Sequence, residues 1–241
     1  MTDPQPAHPL PDAPPSGPTT LLVLAKEPVP GRVKTRLTPP FTPEQAAVLA
    51  RAALVDTLRI ALAVPARRRV LVLEGEPGRW PGIPAPRSER PPSQPLFDVV
   101  PQSEGRLDER IAAAFASCTG PALLIGMDTP QLTAPLLAPA LSDDAWRQHD
   151  AWFGPALDGG FWALGLARPD PALLLGVPMS SPHTGAEQLR RLAESELRTG
   201  RLPLLRDVDT AADARFVATQ SPHSRFARTL ARLNTPQGTA R

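Results

Sequence analysis

The chain of 241 residues is long enough for one sizeable α/β domain and too short for two comfortable ones. Its 26 Lys and Arg against 24 Asp and Glu leave a formal charge of +2. The pI of about 9.3 arises because no Tyr and one Cys titrate between His and Lys, so a small excess travels far. The arginines are scattered rather than gathered on one face, which argues against a nucleic-acid partner. A single cysteine, Cys118, excludes an internal disulfide and a multi-cysteine metal site; it falls in an Ala-rich apolar helical stretch and reads as a buried small residue. There is no basic-then-apolar leader and no apolar run of membrane-spanning length, so the expectation is a cytoplasmic protein with no membrane partner.

In chain order, residues 1–18 are Pro-rich and read as a disordered leader. Thr20–Ala25 is an apolar run suited to a buried strand. Thr42-Pro43-Glu44-Gln45 reads as an N-cap with proline in the first turn, opening a helix to about Leu62. Strands are expected at Arg69–Leu73 and, after a proline-rich loop from Pro77 to Pro95, at Leu96–Pro101. A helix over Leu107–Ser117 leads to the clearest buried strand, Pro121–Gly126. A helix over Ala134–Leu141 precedes short strands at Ala151–Gly154 and Phe161–Leu166. A helix at 185–199, a strand at Leu202–Leu205 and a helix at Ala211–Thr219 complete a single domain over 19–220. Residues 221–241 read as a basic, polar tail holding at most a loosely docked helix. Strands alternating with helices imply an α/β fold, with a mostly parallel sheet covered on both faces. Ligands then bind beyond the carboxyl ends of the strands.

Several motifs fall at those strand ends. The only lysines, Lys26 and Lys34, lie together in Ala25-Lys-Glu-Pro-Val-Pro-Gly31-Arg-Val-Lys34-Thr-Arg36-Leu37; every other basic side chain is arginine. Where coding bias has turned Lys into Arg elsewhere, two retained ammonium groups suggest that a compact, rotatable charge is wanted. An apolar strand running into a Gly- and Lys-bearing loop suits phosphate. Gly126-Met-Asp128-Thr-Pro130 sets a carboxylate just beyond a buried strand, equally fit to ligate Mg²⁺ or Mn²⁺ or to make an Asx-turn. Asp158-Gly-Gly-Phe-Trp162 suits either a close backbone approach to a ligand or a tight hairpin turn. Asp207-Val-Asp209-Thr210 puts two carboxylates on one side of an extended segment, with Asp209 or Thr210 able to cap the next helix. The Ser180-Ser181 hydroxyls suit a sugar or phosphate, and His183 beside them reads as a surface residue. Arg106 and Arg110 lie one helical turn apart and fit either a shared cleft or a solvated face. There is no Walker loop, no GxGxxG fingerprint, no zinc spacing and no support for a serine-hydrolase triad.

Taken in order, Ala25–Leu37, Gly105–Arg110, Gly126–Leu132, Asp158–Trp162 and Asp207–Thr210 resemble the nucleotide-diphospho-sugar transferase superfamily. The nearest resemblance is to a poorly characterised bacterial branch that carries a domain of unknown function. Its members are often labelled glycosyltransferases, some associated with arsenosugar biosynthesis. The resemblance spans about residues 20–220 and implies the GT-A fold, a three-layer α/β/α sandwich. It implies that Lys26, Lys34 and Arg36 neutralise the phosphates of a nucleotide donor, with Gly31, Gly105 and Arg106 in the donor site. Asp128 would hold Mg²⁺ or Mn²⁺ with Asp207 or Asp209, and Asp158 would line the side of a small-molecule acceptor. Lys34, Asp128 and Asp158 are thus the candidate catalytic residues. Asp108 stands where relatives often have glycine, and Ser180-Ser181 departs from a Ser-Thr-Pro pattern, both of which bear on acceptor recognition. Molybdenum-cofactor and deazaflavin-cofactor nucleotidyltransferases are more distant relatives with a similar first loop. The expectations are therefore a glycosyltransferase using a nucleoside diphosphate sugar, a nucleotidyltransferase using a nucleoside triphosphate and releasing pyrophosphate, or a non-catalytic nucleotide-binding protein.

Overall fold

The computed structural model describes residues 17–76 and 96–234. The expected leader up to residue 16, the proline-rich loop from 77 to 95, and residues 235–241 lie outside the described residues. Seven strands form one sheet in the order β3-β2-β1-β4-β6-β5-β7. They are β1 (Thr20–Lys26), β2 (Arg68–Glu74), β3 (Asp98–Pro101), β4 (Ala122–Gly126), β5 (Ala151–Pro155), β6 (Phe161–Leu166) and β7 (Thr199–Arg201). All neighbouring pairs are parallel except those that β6 makes with β4 and β5.

The period-two geometry of a strand divides the apolar run of β1 between two cores. Leu21, Val23 and Ala25 face α1 (Pro43–Ala63) and, further along the chain, α3 (Ala134–Leu141). Leu22 and Leu24 face α2 (Leu107–Ala116) and α5 (Thr184–Glu194). Helices thus cover both faces of the sheet, as the near-continuous apolar strands require. A short α4 (Ala145–Gln148) precedes β5. Gly154 and Gly200 leave room for indoles from adjacent strands: a Cβ on either would stand 2.6 Å from Trp162 or Trp152, respectively.

Local chemistry fixes the helix ends. Thr42 Oγ1 accepts the Gln45 N–H, and the Gln45 side chain accepts the Thr42 N–H, closing a capping box at the start of α1. At its far end the buried Arg69 guanidinium donates to the Ala61 and Val64 carbonyls. Two expected boundaries shift. α5 stops at Glu194 rather than continuing to 199, because Glu196 takes a left-handed φ of 55° and the Leu197 N–H turns back to the Leu192 carbonyl. The last strand consequently lies at Thr199–Arg201, and Leu205 keeps only an isolated bridge to Ala156. Cys118 lies just past α2 and is half-buried, not inside the helix.

The boundary expected at 220 also moves. After α6 (Ala211–Gln220), α7 (Arg225–Asn234) packs onto α1 through Phe226, 1% exposed, and Leu230. Asp56, on α1, accepts the Arg225 and Phe226 N–H groups at 3.0 and 2.8 Å and so caps α7 from a distant part of the chain. Burial pushes the Asp56 carboxyl above its ordinary value, and the two N–H donors only partly counter it. Asp56→Ala leaves both donors without their acceptor and is expected to lower stability by about 1–3 kcal/mol. Hydrogen exchange should quicken first in α7; an α7 no more exchangeable than in the native protein would refute this anchoring role.

Candidate active site

Beyond the carboxyl ends of β1 and β4 the chain leaves a cleft of about 460 Å³. Six segments supply its polar lining: the loop after β1, the stretch after β3, the turn after β4, the β5–β6 turn, the approach to α5, and the strip before α6. In the first loop Val33 and Leu37 are buried anchors on either side of the lysine. Lys34 itself takes a left-handed backbone conformation (φ 50°, ψ 41°) just before a 3-10 turn over Thr35–Leu37. Its ammonium lies 2.9 Å from Asp128 and 3.1 Å from Asp209, and its side chain is 8% exposed. Burial favours the neutral amine, but the two carboxylates outweigh it and hold the ammonium pKa above its usual value.

The acids are positioned with equal definition. Met127 is buried beyond β4, and the Asp128 carbonyl accepts the Val208 N–H at 2.9 Å, tying the two acidic segments together. Val208 is buried, so in this extended strip Asp207 and Asp209 both fall toward the cleft. Asp128 Oδ1, shut off from solvent, is paired with the Lys34 ammonium at 2.9 Å. Asp207 makes no hydrogen bond or ion pair among the described residues. Its carboxyl is pushed up to about 7 by burial and by the charges of Asp128 and Asp158, with Lys34 pulling the other way. Thr210, at the end of the strip, caps α6 by accepting the Asp213 N–H.

The Asp158 turn joins β5 to β6 at the edge of the cleft. Asp158 Oδ1 accepts the Gly160 N–H at 2.9 Å, making a tight turn, while Asp158, Gly160 and Phe161 line the cleft. Gly159 has φ 89°, and a Cβ there would stand 2.1 Å from the Pro182 carbonyl oxygen. The Gly159 carbonyl in turn accepts the Gly185 N–H at 2.8 Å. This contact braces Ser180, Ser181 and Thr184 at the cleft wall, where Thr184 donates to the Pro178 carbonyl.

The remaining expected residues divide. Lys26 and Arg36 line the cleft, 51% and 75% exposed; Lys26 pairs with Glu74 at 3.1 Å and Arg36 stands 3.5 Å from Asp209. Gly31 makes its turn at φ 75° but does not line the cleft. Gly105 and Arg106 do not line it either. Arg106, 72% exposed, pairs with Asp108, and its N–H is taken by Glu109. Asp108 is buried and accepts the Gly176 N–H at 2.8 Å, so it braces the loop before α5 and does not face an acceptor. Arg110 is held by Glu74 and the Gly105 carbonyl, and His183 is exposed.

Gln102, after β3, was not singled out from the sequence and lies in the cleft. Its Nε2 donates to the Ala25 and Val72 carbonyls, leaving Oε1 without a partner among the described residues. Leu24, Leu107 and Ile111 give this end an apolar floor. A glutamine in a loop carries no sequence signal; only the meeting of β1 and β2 carbonyls beneath it does.

A mostly parallel seven-stranded sheet covered by helices on both faces is the architecture of the nucleotide-diphospho-sugar transferase fold. A structure with this fold is a candidate nucleotide-diphospho-sugar transferase from Desulfovibrio desulfuricans G20, 24% identical with a TM-score of 0.75 over 90% of this chain and 95% of that one. Another is a homolog of Mycobacterium tuberculosis Rv0371c from Mycobacterium sp. strain JC1, 20% identical with a TM-score of 0.54 over 85% and 98%. At these identities the likeness establishes the fold. A comparison with curated proteins gives no match. The chain belongs to the DUF2064 family, described as an uncharacterized protein conserved in bacteria, whose model matches residues 57–181.

Proposed function

We propose that this protein is a metal-dependent transferase acting on a nucleotide-activated donor, with glycosyl transfer from a nucleoside diphosphate sugar as its reaction. The observation that carries this reading is the meeting, in one cleft, of Lys26, Lys34 and Arg36 with Asp128, Asp158, Asp207 and Asp209. Burial, with the neighbouring Asp128 and Asp158 carboxylates, lifts Asp207 to about 7, a setting that a cation beyond Lys34 would relieve. Among the described residues no three His, Cys, Asp or Glu side chains form a ready-made metal cage. That fits Mg²⁺ or Mn²⁺ held by one or two carboxylates and completed by donor phosphates. Asp128, together with the unpartnered Asp207 or with Asp209, would hold it. When bound, the ion supplies positive charge to the departing diphosphate.

The chain's own groups do the rest. Lys26 and Arg36 at the cleft mouth offset charge on the leaving nucleoside diphosphate. The apolar floor and Gln102 suit the nucleobase end. Asp158 and the Ser180–Thr184 wall face the acceptor, whose oxygen bonds to the anomeric carbon as the sugar–phosphate bond breaks. The acceptor proton passes to the Asp158 carboxylate, and the electron pair leaves with the diphosphate. The name carried by the Desulfovibrio structure is in line with this reaction.

Thermal melting against a panel of nucleoside di- and triphosphates, with and without Mg²⁺ or Mn²⁺, tests the reading. A nucleotide at about 100 times its Kd should stabilise the protein by about 2.7 kcal/mol, and only when metal is present. Stabilisation indifferent to metal would indicate a non-catalytic binding protein; no response to any nucleotide would refute the reading.

A further inference from the structure

Lys34 sits where a phosphate-binding lysine would not be expected to rest. Lys26 and Arg36 reach toward solvent, yet the Lys34 ammonium is withdrawn between Asp128 and Asp209, 2.9 and 3.1 Å away. It is sent there by a left-handed backbone that a non-glycine residue adopts only under constraint, flanked by the buried Val33 and Leu37. The two carboxylates it neutralises are among those a divalent ion would need. An ammonium and a divalent cation cannot both sit against the same oxygens, because their like charges repel strongly at contact distance. A diphosphate changes the balance by giving the ammonium another partner in the same cleft. A lysine suits such a move better than an arginine, being a compact charge on a four-carbon stem with freely turning donors. That matches its retention in a chain that otherwise uses arginine for every basic position but Lys26.

We propose that Lys34 is a resident counter-ion that keeps divalent metal off Asp128 and Asp209 until a diphosphate draws the ammonium away, so that metal and nucleotide enter together. This rests on the function proposed above and adds to it a binding order. By linkage, the diphosphate must raise metal affinity by the same factor as metal raises diphosphate affinity.

The presence of only two lysines makes the exchange directly visible. Protein labelled with carbon-13 at lysine gives two ε-methylene signals, assigned by comparison with Lys26→Arg. Mg²⁺ alone should leave the Lys34 signal in place, and inorganic pyrophosphate with Mg²⁺ should shift it. In parallel, Lys34→Gln should raise the affinity for Mn²⁺ alone about tenfold or more, read by electron paramagnetic resonance. A Lys34 signal moved as far by Mg²⁺ alone as by Mg²⁺ with pyrophosphate would overturn the proposal. So would a signal that stays put while pyrophosphate and Mg²⁺ raise the melting temperature, an outcome that leaves the transferase reading standing. No response of either signal or melting temperature to pyrophosphate and Mg²⁺ would overturn both.

Discussion

Replacing Asp128 with alanine is expected to remove the metal-dependent part of nucleotide stabilisation and to cut turnover by roughly 10²- to 10³-fold, the scale of losing a group that stabilises developing charge. The fold should survive. Lys34 keeps Asp209 as a partner at 3.1 Å, and the bond that ties the two acidic segments runs from the Asp128 backbone carbonyl to Val208, which the substitution leaves intact. Melting without ligand should therefore stay close to that of the native protein, while the increment produced by Mg²⁺ with nucleotide disappears. Asp128→Asn should share the loss, because an amide keeps the shape and gives up the charge. An unchanged metal increment in either variant would remove Asp128 from the metal site.

The largest structural effect should come from Gly159→Ala. The backbone there has φ 89°, which an L-residue rarely adopts, and the added Cβ would meet the Pro182 carbonyl oxygen at 2.1 Å and its carbon at 2.7 Å. Both atoms belong to backbone, so relief requires the β5–β6 turn and the approach to α5 to separate. We expect a loss of about 3 kcal/mol from combined strain and overpacking, or on the order of 10 °C in melting temperature for a domain of this size. Any nucleotide response should weaken further, because Asp158 and Ser180–Thr184 lose their common brace. Gly31→Ala is the control: it too has positive φ (75°), but a Cβ there meets nothing within 4 Å. Its cost should be limited to about 1 kcal/mol of backbone preference. Equal losses from the two substitutions would show that the Gly159–Pro182 contact does not matter.

The sequence was most readable where one local rule decides the outcome. The apolar runs of β1 and β4 are buried strands because both faces of the sheet are covered, and Thr42 announces α1 through its cap. Lys26, Lys34, Arg36, Asp128, Asp158, Asp207 and Asp209 all line one cleft, because strand ends in such a sheet open onto one edge. What could not be read depends on partners far along the chain. The docking of α7 rests on Asp56, about 170 residues away, so a basic, polar segment looked like a tail. Glu196 ends α5 in a conformation usually given to glycine, leaving no stop signal in the letters. Asp108 reads as a departure near a binding motif, and only its bond to Gly176 reveals a brace. Lys34 was legible as a site residue, but its resting place between two acids follows from the burial of Val33 and Leu37 around it.

The most direct measurement of the central claim is a crystal structure of the protein with Mn²⁺ and pyrophosphate, with the metal located by anomalous scattering. The account predicts one Mn²⁺ peak in the cleft, coordinated by Asp128 together with Asp207 or Asp209 and by pyrophosphate oxygens, with Lys34 or Arg36 against the same pyrophosphate. Manganese or pyrophosphate bound away from this cleft, or pyrophosphate in the cleft with the metal on neither Asp128 nor Asp207, would contradict it.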